Sequence, residues 1–185
     1  MEIAFMGTGH TCGRGKCFLR RIYRIRTLID SRWAATHSAA ALVIVRNARE
    51  NNVPYLGICL GLQVATIEFC RNVLGIKDAT STEFDADAAN PAVIFMPEIS
   101  KTHLGGTMRL GSRPTLFQVD DCITKRLYGG VESIDERHRH RYEINPDLVE
   151  QIEAAGLKFV GKDESGQRCE IFELDGHPYY VGVQY

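Results

Sequence analysis

The sequence predicts an α/β domain with a largely parallel central sheet, and three observations carry that expectation. The apolar run Tyr55–Ile58 leads straight into a helical pattern over residues 60–74, so strand, tight turn and helix follow one another. Ahead of it, residues 39–51 repeat apolar side chains at helical spacing until Asn51, Asn52 and Pro54 end the pattern. Behind it, residues 157–161, 169–174 and 179–185 read as closing strands, joined by turns at Glu164-Ser165-Gly166 and Asp175-Gly176. Helix and strand alternate early and hairpins come late, which is the order of an α/β sheet finished by antiparallel strands.

The other elements follow from the same rules. Residues 18–29 place Phe18, Ile22, Ile25 and Ile29 on one side of a wheel and four arginines elsewhere, the pattern of a basic amphipathic helix. Residues 92–96, 107–110 and 116–119 read as short strands separated by Gly105, Gly106 and Gly111, an antiparallel excursion from the main sheet. Asn145 is placed to cap a helix over residues 146–155 that Gly156 terminates. In Arg137-His138-Arg139-His140-Arg141, strict alternation puts arginines on one face of an extended segment and histidines on the other.

Bulk properties narrow the function. A 185-residue chain that is 44% hydrophobic can bury one core of its own. The net charge of −1 argues against a nucleic-acid partner, although residues 1–40 carry +5 and leave −6 to the remainder. That division separates a basic amino-terminal stretch, 1–40, from a domain over 41–185. Six cysteines without a secretory apolar region read as reduced thiols, and no apolar run approaches the ~20 residues of a membrane span, so a cytoplasmic protein without a membrane partner is expected. Cys12 and Cys17 with His10 and His37 do not have the spacing of a standard zinc site, and no metal site is expected.

Gly57-Ile58-Cys59-Leu60-Gly61 has the spacing of a nucleophile elbow. Glycines allow the strand-to-helix turn to close, and the following helix aims its first N–H groups at the sulfur. A helix N-terminus or a nearby cation lowers a thiol pKa, which makes Cys59 a candidate nucleophile. A cysteine between two glycines is also compatible with simple burial. The neighbouring sequence decides between them.

Residues 54–85, PYLGICLGLQVATIEFCRNVLGIKDATSTEFD, together with GGTMRLGSR, ERHRHRYEINP, GLKFVGKD and HPYYVGVQY, closely resemble the class I glutamine amidotransferase domains of CTP synthases over about residues 42–185. The resemblance implies a flavodoxin-like amidotransferase fold. It implies that a cysteine attacks the glutamine side-chain amide, that ammonia leaves, and that water hydrolyses the glutamyl thioester. The ammonia serves a synthetase domain that aminates UTP to CTP with ATP and Mg2+; no cofactor is implied in the amidotransferase domain itself. By motif, Cys59 is similar to the nucleophile and Leu60 to the residue whose N–H holds the oxyanion, while Leu60, Gly61, Leu62, Gln63, Glu83 and Arg141 fall at glutamine-binding positions. One acid and one guanidinium suit an amino acid that carries an ammonium and a carboxylate. The full-length family members imply a homo-oligomer.

The family places a His-Pro-Glu motif directly after the last strand to supply the base and its orienting acid. Here the sequence reaches Val183-Gln184-Tyr185, so that pair is expected to be missing, as are the glycine-rich oxyanion loop, the synthetase domain and any Walker-type ATP loop. His177, at the start of the last strand, is expected at the wrong pole, and His138 or His140 would require rearrangement to reach Cys59. Two readings follow: a partial record of a glutamine-hydrolysing ligase, or a catalytically incomplete glutamine-binding or regulatory partner. A third takes residues 14–32 as a targeting or membrane-surface helix.

Overall fold

The computed structural model describes residues 27–29, 38–96 and 108–185. In chain order the elements are β1 (Thr27–Ile29), α1 (Ser38–Glu50), β2 (Tyr55–Ile58), α2 (Leu60–Asn72), β3 (Thr80–Ser81), β4 (Pro91–Phe95), β5 (Arg109–Phe117), α3 (Ile123–Leu127), β6 (Ser133–His140), β7 (Tyr142–Ile144), α4 (Pro146–Ala154), β8 (Leu157–Lys162), β9 (Cys169–Leu174) and β10 (Tyr180–Val183). The main sheet has seven strands in the order β1-β2-β10-β9-β8-β5-β6, and β3-β4-β7 form a smaller one.

Only the β1-β2 and β2-β10 ladders of the main sheet are parallel; β9, β8, β5 and β6 each run antiparallel to their neighbours. The hairpin strands are thus integral to the main sheet, and the predicted strand near residues 92–96 instead forms the middle of the small sheet as β4. Of residues 107–110 and 116–119, expected as two strands, residue 107 lies outside the described residues, and 109–110 and 116–117 belong to one continuous β5. Gly111 at φ 87° bends it without breaking it, because pairing with β6 runs from Arg109↔His140 to Leu116↔Ser133.

A further correction concerns residues 18–29. Thr27–Ile29 is a strand paired with Tyr55–Gly57, not the end of a helix. Parallel pairing beside β2 suits the β-branched Thr27 and Ile29, and tertiary context overrides the helical spacing. The rest of that predicted helix, residues 18–26, lies outside the described residues, as do the rest of the stretch 14–32 in the third reading, the cysteine and histidine set at residues 10–37, and His103.

Side-chain alternation divides the core between the two faces of the main sheet. Tyr55, Tyr180, Phe172 and Phe159 pack with α1, α2 and Ile152 of α4 on one face. Leu56, Val181, Ile171 and Val160 pack with Phe117, Cys122 and Ile134 on the other. Tyr180 anchors the first group by stacking on Tyr55 at 4.6 Å and on Phe172 at 5.9 Å between ring centroids. Every residue of α2 from Leu60 to Cys70 is buried. That requires an answer for Glu68, and Arg49 of α1 supplies it with two bonds of 2.7 and 2.8 Å. α4 begins as expected: the Asn145 side chain accepts from Asp147 N–H at 3.1 Å, Pro146 occupies the first turn, and Gly156 follows at φ 106°.

Candidate active site

β2 and β10 end side by side, and the chain turns into α2 immediately beyond that point. Cys59 makes the turn with φ 52° and ψ −105°, a conformation that costs a non-glycine residue energy and is found mostly where function or a tight turn demands it. Its N–H donates to Val183 O at 2.7 Å, tying the elbow to the end of β10, and its C=O accepts the first helical bond from Gln63 N–H. The Tyr55 hydroxyl donates to Gly61 O at 2.9 Å and fixes the opening turn of α2 from beneath. Gly57 is obligatory here: a Cβ on it would lie 2.5 Å from Tyr55 Oη and 2.7 Å from the Gly61 carbonyl carbon.

Cys59 opens onto a depression of about 220 Å³ lined also by Leu60, Gln63, Glu83, Met108, Arg139, His140, Arg141 and Tyr142. Three elements meet there: the N-terminus of α2, the residues just after β3, and the corner between β6 and β7. Glu83 and Arg141 are both exposed on its rim, and the Arg141 charge opposes the rise that partial desolvation gives the Glu83 carboxyl. Gln63 is buried, with Nε2 donating to Tyr142 O at 2.8 Å and facing Gln184 Oε1 at 3.4 Å, while its own Oε1 has no hydrogen-bond partner among the described residues.

Of the residues singled out from sequence, Cys59, Leu60, Gln63, Glu83 and Arg141 therefore come together. Gly61 and Leu62 do not line the depression. Gly61 serves the turn through its carbonyl, and the Leu62 side chain is fully buried in the core beneath α2. The expected lowering of the Cys59 thiol is also corrected. Burial pushes it up to about 11, against the Leu60 N–H and the Gln184 amide, which favour the thiolate. The Gln184 Nε2 donates to Cys59 Sγ at 3.6 Å. That residue carried no assignment in the sequence, although parallel pairing of β10 with β2 implies that whatever follows β10 arrives beside the elbow.

The histidines divide as follows. His177 lies beyond the far end of β10, its Nε2 3.1 Å from Ala48 O and its Nδ1 accepting from Tyr179 N–H. His140 is in the wall of the depression, a lining residue that sequence reasoning weighs only as a base. Its Nε2 is 2.9 Å from His138 Nδ1 and its Nδ1 is 3.5 Å from Glu143 Oε1, so both ring nitrogens face partners other than Cys59. His138 is fully buried, edge-on to the Tyr185 ring at 5.6 Å between centroids. The alternation seen in the sequence holds: Arg137 and Arg139 are exposed, and His138 and His140 are buried. No helix among the described residues is long and apolar enough to cross a membrane.

Known proteins with this arrangement are readily found. The model of the family "Glutamine amidotransferase class-I" matches residues 34–185. CTP synthase from Eremothecium gossypii is 56% identical over 162 residues, which is 85% of this chain and 28% of that protein. CTP synthase 2 from Xenopus laevis is 59% identical over 138 residues, 75% of this chain and 24% of that one. The chain thus spans about a quarter of the length of these relatives. The solved glutaminase domain of the Trypanosoma brucei CTP synthase, with acivicin bound, superposes with a TM-score of 0.72 at 34% identity, covering 80% of this chain and 57% of that one. An elbow cysteine between β2 and α2, a depression walled by Glu83 and Arg141, and a family match from residue 34 to residue 185 lead to one conclusion: this chain belongs to the class I glutamine amidotransferases.

Proposed function

We propose that this chain is the glutamine-hydrolysing portion of a CTP synthase, with Cys59 as its nucleophile. The reading rests on one observation above all: the positive-φ thiol opens onto the same depression as an exposed carboxylate and an exposed guanidinium. Glu83 takes the α-ammonium of glutamine and Arg141 its α-carboxylate, leaving the side-chain amide over Cys59. Sulfur bonds to the amide carbon, the C–N bond breaks, and the thiol proton leaves with nitrogen as ammonia. Leu60 N–H stabilises the oxyanion, and water then releases glutamate and restores the thiol. The ammonia goes to a synthetase domain that uses ATP and Mg2+ to aminate UTP.

The test is covalent labelling with 6-diazo-5-oxo-L-norleucine, which alkylates sulfur and loses N2. One adduct on Cys59, slowed by glutamine and absent in Cys59→Ser, is the expected result. An adduct that survives Cys59→Ser, or one indifferent to glutamine, sinks the reading.

A second reading has its own support. Among the described residues the side-chain hydrogen bond to Cys59 Sγ comes from the Gln184 amide, which is not a base, and burial keeps the thiol protonated. A chain of this kind binds glutamine and forms adducts slowly without turning over. Release of glutamate and ammonia by the 185-residue chain supports the first reading; saturable binding of glutamine without release supports the second.

A further inference from the structure

Beneath the arginine wall of the depression lies a row of buried polar groups that the proposed chemistry leaves unused. Glu170 of β9 is buried, with Arg109 Nη2 at 2.7 Å from its Oε1 and the Thr115 hydroxyl donating to its Oε2. His138 Nε2 lies 3.4 Å from that same Oε2, His138 Nδ1 lies 2.9 Å from His140 Nε2, and His140 Nδ1 lies 3.5 Å from Glu143 Oε1. Glu143 is also buried and pairs with Arg168, which in turn approaches Asp163 at 3.9 Å. The row runs from Glu170 of β9 through the two histidines of β6 to Glu143 of β7, and one of its members, His140, is a side chain of the pocket wall.

The contacts along the row set its proton inventory. The row has three contacts: carboxyl to ring, ring to ring, and ring to carboxyl. The ring-to-ring contact is a hydrogen bond, whereas His138 Nε2 and His140 Nδ1 approach their carboxylate oxygens without hydrogen-bond geometry; a proton in each of the three keeps two lone pairs from facing each other away from water. Two neutral imidazoles supply only two. Arg113, half exposed on β5, also bears on His138 from a position partly screened by solvent.

We propose that Glu170, His138, His140 and Glu143 form a proton-sharing line whose extra proton resides on Glu170, and that this line positions the Arg139 and Arg141 wall of the pocket. Glu170 presents O–H to His138 Nε2, His138 donates from Nδ1 to His140 Nε2, and His140 donates from Nδ1 toward Glu143. Both rings are then neutral and share one tautomer. Burial acts in the same direction, pushing the Glu170 carboxyl up to about 7 and the His138 imidazole down to about 2. With its two histidines locked inward, β6 can present Arg139 and the following Arg141 only outward, at the rim.

The positioning half of this proposal rests on the glutamine reading; the protonation half does not, and the tests separate them. Long-range 1H–15N spectra of the histidine-labelled chain at about pH 6.5 are assigned with His138→Gln and His140→Gln. Both rings neutral and protonated at Nδ1 is the expected result, and an Nε2-protonated ring or an imidazolium at either position overturns the line. Glu170→Gln keeps a neutral donor facing His138 and is expected to leave diazo-oxo-norleucine labelling of Cys59 within ~2-fold, whereas Glu170→Leu slows it ~10-fold. Iodoacetamide, which needs no glutamine pocket, reacts with Cys59 within ~2-fold in all three proteins. Glu170→Gln as slow as Glu170→Leu overturns proton sharing, and an unchanged Glu170→Leu overturns positioning. Should Glu170→Leu not fold, the spectra of the unsubstituted chain and the Glu170→Gln labelling still decide. Failure of the unsubstituted chain to take the diazo reagent sinks the glutamine reading, and the histidine spectra alone then decide whether the line exists.

Discussion

The two halves of the main sheet meet the active site in opposite ways. On the parallel side, β2 and β10 hold Cys59 by backbone geometry, and the side chains behind them are apolar or aromatic: Tyr55, Leu56, Tyr180 and Val181. On the antiparallel side, β5, β6 and β9 hold the arginine wall by side-chain charge, with Arg109, Glu170, His138 and His140 all buried. A nucleophile must occupy one backbone position, which close packing fixes. A wall that receives a charged amino acid must present cations, which only a balanced interior network can hold in place. The lesson is that one sheet supports a single pocket by two different kinds of physics, and that these should fail differently.

The largest predicted break is Phe172→Ala, at the seam between the halves. The ring is fully buried against Tyr180, and its removal is expected to cost about 4 kcal/mol in urea unfolding, with little change between pH 6 and pH 8. Arg109→Met tests the charged half and should depend on pH. It strands Glu170, costing about 3 kcal/mol at pH 8 and less at pH 6, where the carboxyl accepts a proton instead. The sign follows from linkage. The folded state binds the Glu170 proton more tightly than the unfolded chain, so this group weakens the fold as pH rises toward about 7. A pH-independent Arg109→Met would erase the distinction between the halves.

Cys59 sharpens the comparison from the parallel side. With its thiol at about 11, alkylation by iodoacetamide should accelerate ~10-fold per pH unit between pH 7 and 10, following the thiolate fraction, whereas a plateau near pH 8 would mean an ionised sulfur. The same linkage makes the Cys59 contribution to stability complete below the ordinary thiol range and lost as pH climbs through about 11. The smallest effect is expected at the cap of α4, a helix that contributes no residue to the pocket lining. Asn145→Ala removes the bond from Asp147 N–H and the one the side chain donates to Pro91 O, and should cost about 1 kcal/mol by thermal denaturation, with Cys59 labelling unchanged.

What could be read from the sequence follows the same division. The elbow is contiguous, so glycines, thiol and helix announce themselves within five residues, and the α4 cap is equally local. The alternation in β6 was legible because burial on one face of a strand repeats every second residue. The ion-pair row was not, since Arg109 and Glu170 stand 61 positions apart and nothing in either segment names the other. β1 was misread because three residues carry too little pattern to outvote an amphipathic run beside them. The turn residue Gly111 made β5 look like two strands until its pairing with β6 was visible. α3, five residues long, is set by its Cys122 cap and by Glu173, which accepts from the N–H groups of Ile123 and Thr124 across 50 and 49 positions.

The raised thiol has a consequence for anyone who handles or inhibits the protein. Cys59, Cys70, Cys122 and Cys169 all hold their protons more tightly than an exposed cysteine does. Peroxide and air oxidation, which consume thiolate, should therefore act slowly on these four in storage. A compound aimed at Cys59 gains nothing from a hot warhead, which would find other thiols first. Selectivity has to come from a mild electrophile on a scaffold shaped like an amino acid, carried to the sulfur by the charges at the rim.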